Sequence, residues 1–159
     1  MPKNIGIIYR DYSQKYDEEE ILRIKKFCTL DRRKFFLAND LALVKKFNLD
    51  GAYIPSFNKD IAVAALKIKN MLILGSAHNI KEINQKKSQK VDYLFISPVF
   101  KKTKKNNCLG LIKFCILSKK FNNKVVGLGG INKNNINKIN NLKGFGFASI
   151  SYIRNDTVI

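Results

Sequence analysis

Short apolar runs alternate with helical periodicity along the chain. The runs Ile5–Tyr9, Lys34–Ala38, Gly51–Ile54, Met71–Leu74, Asp92–Ser97, Lys124–Leu128 and Phe145–Ile150 are too brief for helices, and nearly all are apolar on both faces. Strands covered on two sides read this way, so the pattern predicts a parallel sheet. Between them, apolar residues recur at helical spacing near Asp17–Thr29, Asp40–Asn48, Lys59–Lys69, Ile80–Lys87, Leu109–Phe121 and Lys133–Leu142. In the first helix Asp17 and Glu20 form a capping-box pattern, and Ile21, Ile24, Phe27 and Cys28 share one face. Glu18–Glu20 open that helix and Lys25–Lys26 close it, matching the macrodipole.

Strict alternation of strand and helix leaves a (β/α) barrel or a doubly wound open sheet. No GxGxxG follows the first strand. Polar or small residues stand at the C-terminal ends of the runs: Arg10, Asn39 and Asp40, Pro55 and Ser56, Ser76 and His78, Ser97 and Pro98, Gly129 and Gly130, and Ser151. In a barrel these ends converge on one mouth. The expectation is an α/β fold, a TIM-type barrel of seven parallel strands lacking the first strand–helix unit and the last helix, formed as a single domain over 1–159. Such an open barrel leaves Ile5–Tyr9 and Phe145–Ile150 as edges, which predicts poor solubility or homo-oligomerisation through them.

Two neighbouring run ends, Val125-Val126-Gly127-Leu128-Gly129-Gly130 and Phe145-Gly146-Phe147-Ala148-Ser149-Ile150-Ser151, finish in glycine or serine where a helix would begin. Backbone N–H groups at such an end, backed by a helix dipole, suit an anion. The last two strands of a barrel are where phosphate usually docks. This pattern points to a phosphorylated small molecule.

Composition changes the picture little. The chain has 159 residues, 45% of them hydrophobic, a formal charge of +18 and a pI near 9.9. That charge keeps a basic nucleic-acid-binding protein as an alternative, yet the lysines are scattered rather than gathered in a stripe with interleaved aromatics. Cys28, Cys108 and Cys115 have no CxxC spacing, so neither a disulfide framework nor a zinc site is suggested. No apolar run is long enough to span a membrane, and a reduced, cytoplasmic protein is the expectation.

Seven segments in register resemble the thiamine phosphate synthase/TenI superfamily of (β/α) barrels, beginning at that family's second strand. They are Ile8-Tyr9-Arg10, Phe36-Leu37-Ala38-Asn39-Asp40, Asp50-Gly51-Ala52-Tyr53-Ile54-Pro55-Ser56, Ile73-Leu74-Gly75-Ser76-Ala77-His78, Val91-Asp92-Tyr93 through Ser97-Pro98-Val99-Phe100, Gly129-Gly130-Ile131-Asn132 and Ala148-Ser149-Ile150-Ser151. The synthase joins a hydroxymethylpyrimidine pyrophosphate to a thiazole phosphate and expels pyrophosphate with Mg²⁺. The resemblance implies that Arg10 grips the pyrophosphate, Asn39 contacts the pyrimidine side and Asp40 holds Mg²⁺. Lys105, in the lysine-rich loop after the fifth strand, would meet the leaving group. Gly129, Gly130, Ile150 and Ser151 would form the thiazole phosphate end, with Ser76 a further substrate-binding position and His78 a catalytic one. Simpler roles stay open beside these. Asp40 suits a helix N-cap, Arg10 a surface ion pair with Asp11, His78 a satisfied turn, and the lysine run a solvated loop.

The chain departs from the family at defined positions. Ile8 stands for the Gln of Gln-x-Arg, Tyr12 for a Lys, and Asn58 for the second metal-binding Asp. A hard cation prefers anionic oxygen, so Asn58 weakens the Mg²⁺ expectation. The thiazole tautomerase branch keeps a histidine at His78 but carries a second one where this chain has Pro98. A tautomerase-like protein or a non-catalytic thiazole phosphate binder is therefore the first alternative to a synthase-like transferase.

Overall fold

A computed structural model describes residues 5–12, 15–101, 107–142 and 145–149. Seven strands form one sheet: β1 (Ile7–Tyr9), β2 (Phe35–Ala38), β3 (Gly51–Ile54), β4 (Leu72–Ala77), β5 (Tyr93–Ile96), β6 (Lys124–Leu128) and β7 (Phe145–Ala148). Neighbours in sequence are neighbours in space, and every pair is parallel. That order has no switch point, which separates a barrel-type sheet from a doubly wound one. Among the described residues nothing pairs β1 with β7.

The crossovers are α1 (Glu18–Leu30), α2 (Leu41–Lys46), a 3-10 helix (Ile61–Lys69), α3 (Ile80–Ser88), α4 (Gly110–Ser118) and α5 (Ile136–Asn140). The Lys59–Lys69 segment departs from the expected α-helix by adopting 3-10 winding. Asp60 caps it through Ala62 N at 2.8 Å, and Asn70 ends it in the left-handed region. Near α1, Asp17 caps Glu19 N at 3.0 Å, while Glu20 pairs with Arg23, so no reciprocal capping box forms. The helix runs on to Leu30, leaving Lys25 and Lys26 short of its last turn, where no basic residue stands. Phe27 leaves the buried face and lies exposed beneath the Arg33 guanidinium, 5.9 Å from its carbon.

Period-two alternation sorts the strands' side chains into two layers. Phe35, Leu37, Ala52, Ile54, Ile73, Leu94, Ile96 and Val125 pack outward against Ile21, Cys28, Val44, Leu66, Ile83, Phe114 and Ile139 of the crossovers. Phe36, Ala38, Tyr53, Leu74 and Phe95 turn inward, joined by Ile8, Leu72, Tyr93, Val126, Leu128 and Ala148. Burying a large side chain of either layer stabilises the fold by about 1.5–3 kcal/mol. Cover thins toward β1 and β7, whose residues are only half-buried or exposed. Two carboxylates lock strand starts. Asp50 accepts from Phe35 N at 2.9 Å and pairs with Lys34; Asp92 accepts from Ile73 N at 2.7 Å and pairs with Lys67.

Candidate functional site

All the strands point the same way, so the loops after them meet at one end. Arg10 follows β1, is exposed, and lies over the Tyr12 ring at 5.7 Å. Tyr12 meets Phe57 of the loop after β3 edge to face, with centroids 5.4 Å apart. Partial burial of the half-exposed Tyr12, then the neighbouring Tyr53, pushes its phenol up, so it stays protonated in ordinary buffers. The Tyr16 hydroxyl accepts from Asp11 N and donates to Ala38 O at 2.9 Å, tying the β1 loop to the end of β2.

Asn39 takes a left-handed φ of 59°, which asparagine tolerates better than most residues, and its N–H reaches Tyr53 O at 2.9 Å. Its side-chain oxygen accepts from Asn58 Nδ2 at 2.6 Å, so the loops after β2 and β3 are clasped at the rim. Asp40 caps α2, its Oδ1 accepting from Leu43 N at 2.9 Å. The Asn58 oxygen accepts from Asp60 N at 2.8 Å. Among the described residues no group of three or more His, Cys, Asp or Glu side chains could hold a metal ion.

Ser76, one residue before the end of β4, sits on the inward face beside Phe95 and is buried. His78 Nδ1 lies 2.7 Å from Ser97 O and 3.2 Å from Ser97 Oγ. A carbonyl can only accept, so Nδ1 carries a proton. The His78 N–H donates to Glu82, whose other oxygen accepts from Asn79 Nδ2. The satisfied-turn description of His78 holds for Nδ1 alone.

After β6, Gly129 and Gly130 have φ values of 92° and 71°. A Cβ on Gly130 would come within 2.4 Å of Phe100 O and 2.7 Å of Lys101 O. Phe100 N donates to Gly129 O at 3.0 Å, which draws the β5 loop onto the glycine pair. Asn135 Nδ2 donates to Gly130 O at 2.8 Å, its oxygen accepts from Asn132 N, and Ser149 Oγ donates to Ile131 O at 2.9 Å. A close, asparagine-braced backbone turn thus joins the ends of β6 and β7.

The structure brings Arg10, Asn39, Asp40, Ser76, His78, Gly129 and Gly130 to the same end of the sheet. Lys105, Ile150 and Ser151 lie outside the described residues. Sequence reasoning missed Phe57, which meets Tyr12 across two loops, and Asn135, which braces its own loop at Gly130. A cleft of about 350 Å³ lies at the opposite end of the sheet, lined by Lys25, Arg33, Asp50 and Met71. No helix among the described residues is long and apolar enough to cross a membrane.

The family model described as thiamine monophosphate synthase matches residues 6–153. A thiamine-phosphate synthase of Staphylococcus epidermidis is 27% identical over 142 residues, covering 87% of this chain and 67% of that protein. One from Prochlorococcus marinus subsp. pastoris is 31% identical over 148 residues, covering 91% of this chain but 41% of that protein. Among solved structures, the thiamine phosphate pyrophosphorylase from Pyrococcus furiosus superposes with a TM-score of 0.72 at 18% identity, covering 96% of this chain and 78% of that one. At that identity the likeness is one of fold.

Proposed function

Since the chain belongs to the thiamine monophosphate synthase family, we propose that it serves thiamine biosynthesis as a synthase-like transferase. In this reading it joins a hydroxymethylpyrimidine pyrophosphate to a thiazole phosphate and releases pyrophosphate. The observation that carries it is the Gly129–Gly130 turn, pressed against the β5 loop so closely that a side chain at 130 has no room. Glycine at 129 and 130 keeps this turn free of side chains at the ends of the last strands, as a phosphate cradle requires.

The other roles follow from position at the mouth. Arg10 presents a guanidinium for the pyrophosphate, and Asn39, held by Asn58, faces the pyrimidine side. Ser76 lines the floor, and His78 offers Nε2. Lys105 belongs to the leaving-group end in this reading, and Ile150 and Ser151 to the phosphate end.

The donor set offers Mg²⁺ a single carboxylate, Asp40, where the resemblance implies two. Asp40 already caps a helix through one oxygen, and Asn58 supplies an uncharged amide whose oxygen is engaged. Mg²⁺ at such sites is usually taken by one or two carboxylates together with substrate phosphates.

A second reading has a specific observation in its favour. Tyr12 and Phe57 form an exposed aromatic pair beside Arg10, and Asn58 is uncharged, so the pyrophosphate side carries fewer charged groups than the resemblance implies. A tautomerase-like protein or a thiazole phosphate binder would keep only the glycine turn and His78. Titration calorimetry separates the two. Binding of both the thiazole phosphate and the pyrimidine pyrophosphate, followed by turnover, supports the transferase. Thiazole phosphate binding alone supports the second reading, and binding of neither ligand refutes both.

A further inference from the structure

A wholly buried lysine lies beneath the rim. Lys86 sits on the inner face of α3, wholly buried, one turn beyond buried Ile83. Its stem runs over β4 at Gly75, where an added Cβ would meet Lys86 Cδ at 3.1 Å and Val91 Cγ2 at 2.8 Å. The ammonium ends under the loop after β3. It donates to Pro55 O at 2.7 Å, Asn58 O at 2.9 Å and Gln89 Oε1 at 2.8 Å. Gln89, also wholly buried, donates from Nε2 to Asn58 O at 3.1 Å and to Asp60 O at 2.8 Å.

A buried ammonium without a carboxylate partner is costly, and folds tolerate one only where its hydrogen bonds are complete. Here three donors meet three neutral acceptors. An apolar side chain would pack at this depth without that cost, so bare stability does not call for a lysine. What the lysine adds is a hold on the residue at the rim. Asn58 receives Lys86 and Gln89 through its carbonyl and clasps Asn39 through its side chain.

We propose that Lys86, with Gln89, is a positioning residue for the mouth: it clamps the Pro55–Asp60 loop from below and so sets the Asn58–Asn39 clasp on the pyrimidine side. The inference rests on the function proposed above for which ligand that side receives. The clamp also responds to protonation. A neutral amine has two donors for three acceptors, so deprotonation turns a lone pair toward an oxygen. Burial lowers the Lys86 ammonium to about 8, against the opposing charge of Glu82 one turn back on α3. The other charged groups nearby are on the clamped loop. Asp60 is exposed and caps the 3-10 helix, and Lys59 is exposed. From β4 and the turn before β5, the uncharged Gly75 and Val91 pack beside its stem.

Lys86→Met and Gln89→Met test this in the full chain. Both variants should fold. Without Lys86, Pro55 O still accepts from Asn58 N at 3.1 Å, and Asn58 O still accepts from Gln89. Hydrogen exchange of the Phe57–Asp60 amides should speed up in both. The calorimetric Kd for the pyrimidine pyrophosphate should rise about tenfold, as losing one or two hydrogen bonds implies, with thiazole phosphate affinity unchanged. Wild-type affinity for the pyrimidine ligand should fall between pH 7.5 and 9.5, and that fall should vanish in Lys86→Met. Unaltered loop exchange, an unaltered pyrimidine Kd, or an equal loss for both ligands would overturn the proposal. If the wild type binds neither ligand, the function reading fails instead, and the exchange rates still decide whether the clamp exists.

Discussion

Replacing Gly130 by alanine tests the glycine turn against a built-in control. Gly130 and Gly110 share a φ of 71°, so alanine at either meets the same backbone penalty, about 1–2 kcal/mol. Around Gly110 nothing lies within 4 Å of an added Cβ. At Gly130 that Cβ would fall 2.4 Å from Phe100 O and 2.6 Å from Phe100 C, both backbone atoms that cannot rotate aside. Forcing the β5 loop away adds roughly 1–3 kcal/mol of overpacking. Gly130→Ala should therefore cost about 2–5 kcal/mol in all, and Gly110→Ala about 1–2 kcal/mol. With a urea m-value of roughly 2 kcal/mol/M, the Gly130 variant should unfold about 0.5–1.5 M earlier than the Gly110 variant. The same displacement should weaken thiazole phosphate binding in Gly130→Ala and spare it in Gly110→Ala. Equal midpoints and equal affinities for the two variants would refute the close-approach argument.

The remaining predictions concern charge and capping. The Lys86 pKa is lowered in the folded chain to about 8 from 10.5, so between those values the unfolded chain binds more protons. The Lys86 contribution to stability should accordingly rise with pH across that window, by about 3 kcal/mol, and urea midpoints of Lys86→Met should lack that contribution. Asp92→Ala leaves Ile73 N without its carboxylate and should cost about 1–3 kcal/mol; Asp92→Asn, which can still accept, should recover much of this in thermal melts. Asp40→Ala should lose about 1 kcal/mol of helix capping while Asp40→Asn loses little, so turnover abolished in Asp40→Asn at unchanged stability would give Asp40 a role beyond the cap. Burial raises the Cys28 thiol, and a thiol reagent should reach half-buried Cys108 and Cys115 well before it; uniform reactivity would contradict the packing of α1.

Much of the fold was legible because period-two and period-3.6 patterns report directly on which faces are buried. Phe35 and Phe36 turn to opposite layers of one sheet, as alternation requires. Asp17 and Asp40 announced helix starts by residue type, and both cap. Local pattern failed where a segment's energetics depend on its surroundings. Lys59–Lys69 carries helical periodicity yet winds as a 3-10 helix, and Phe27 is apolar but faces out beneath Arg33.

The site divides the same way. Sequence by itself determined the chemistry that collects at one end of the sheet, because parallel strands joined in order leave no other place for Arg10, Asn39, His78 and Gly130. It also carried a signal for Lys86, three residues beyond Ile83 on the buried face. Only the tertiary structure decided what those groups touch: Asn58 against Asn39, His78 against Ser97, Gly130 under Phe100, and the Lys86 ammonium under Pro55 and Asn58. Those contacts join loops 19 to 31 residues apart in the chain. Periodicity records which way each side chain faces within its own element; the distance between two loops is set by the packing of the whole sheet.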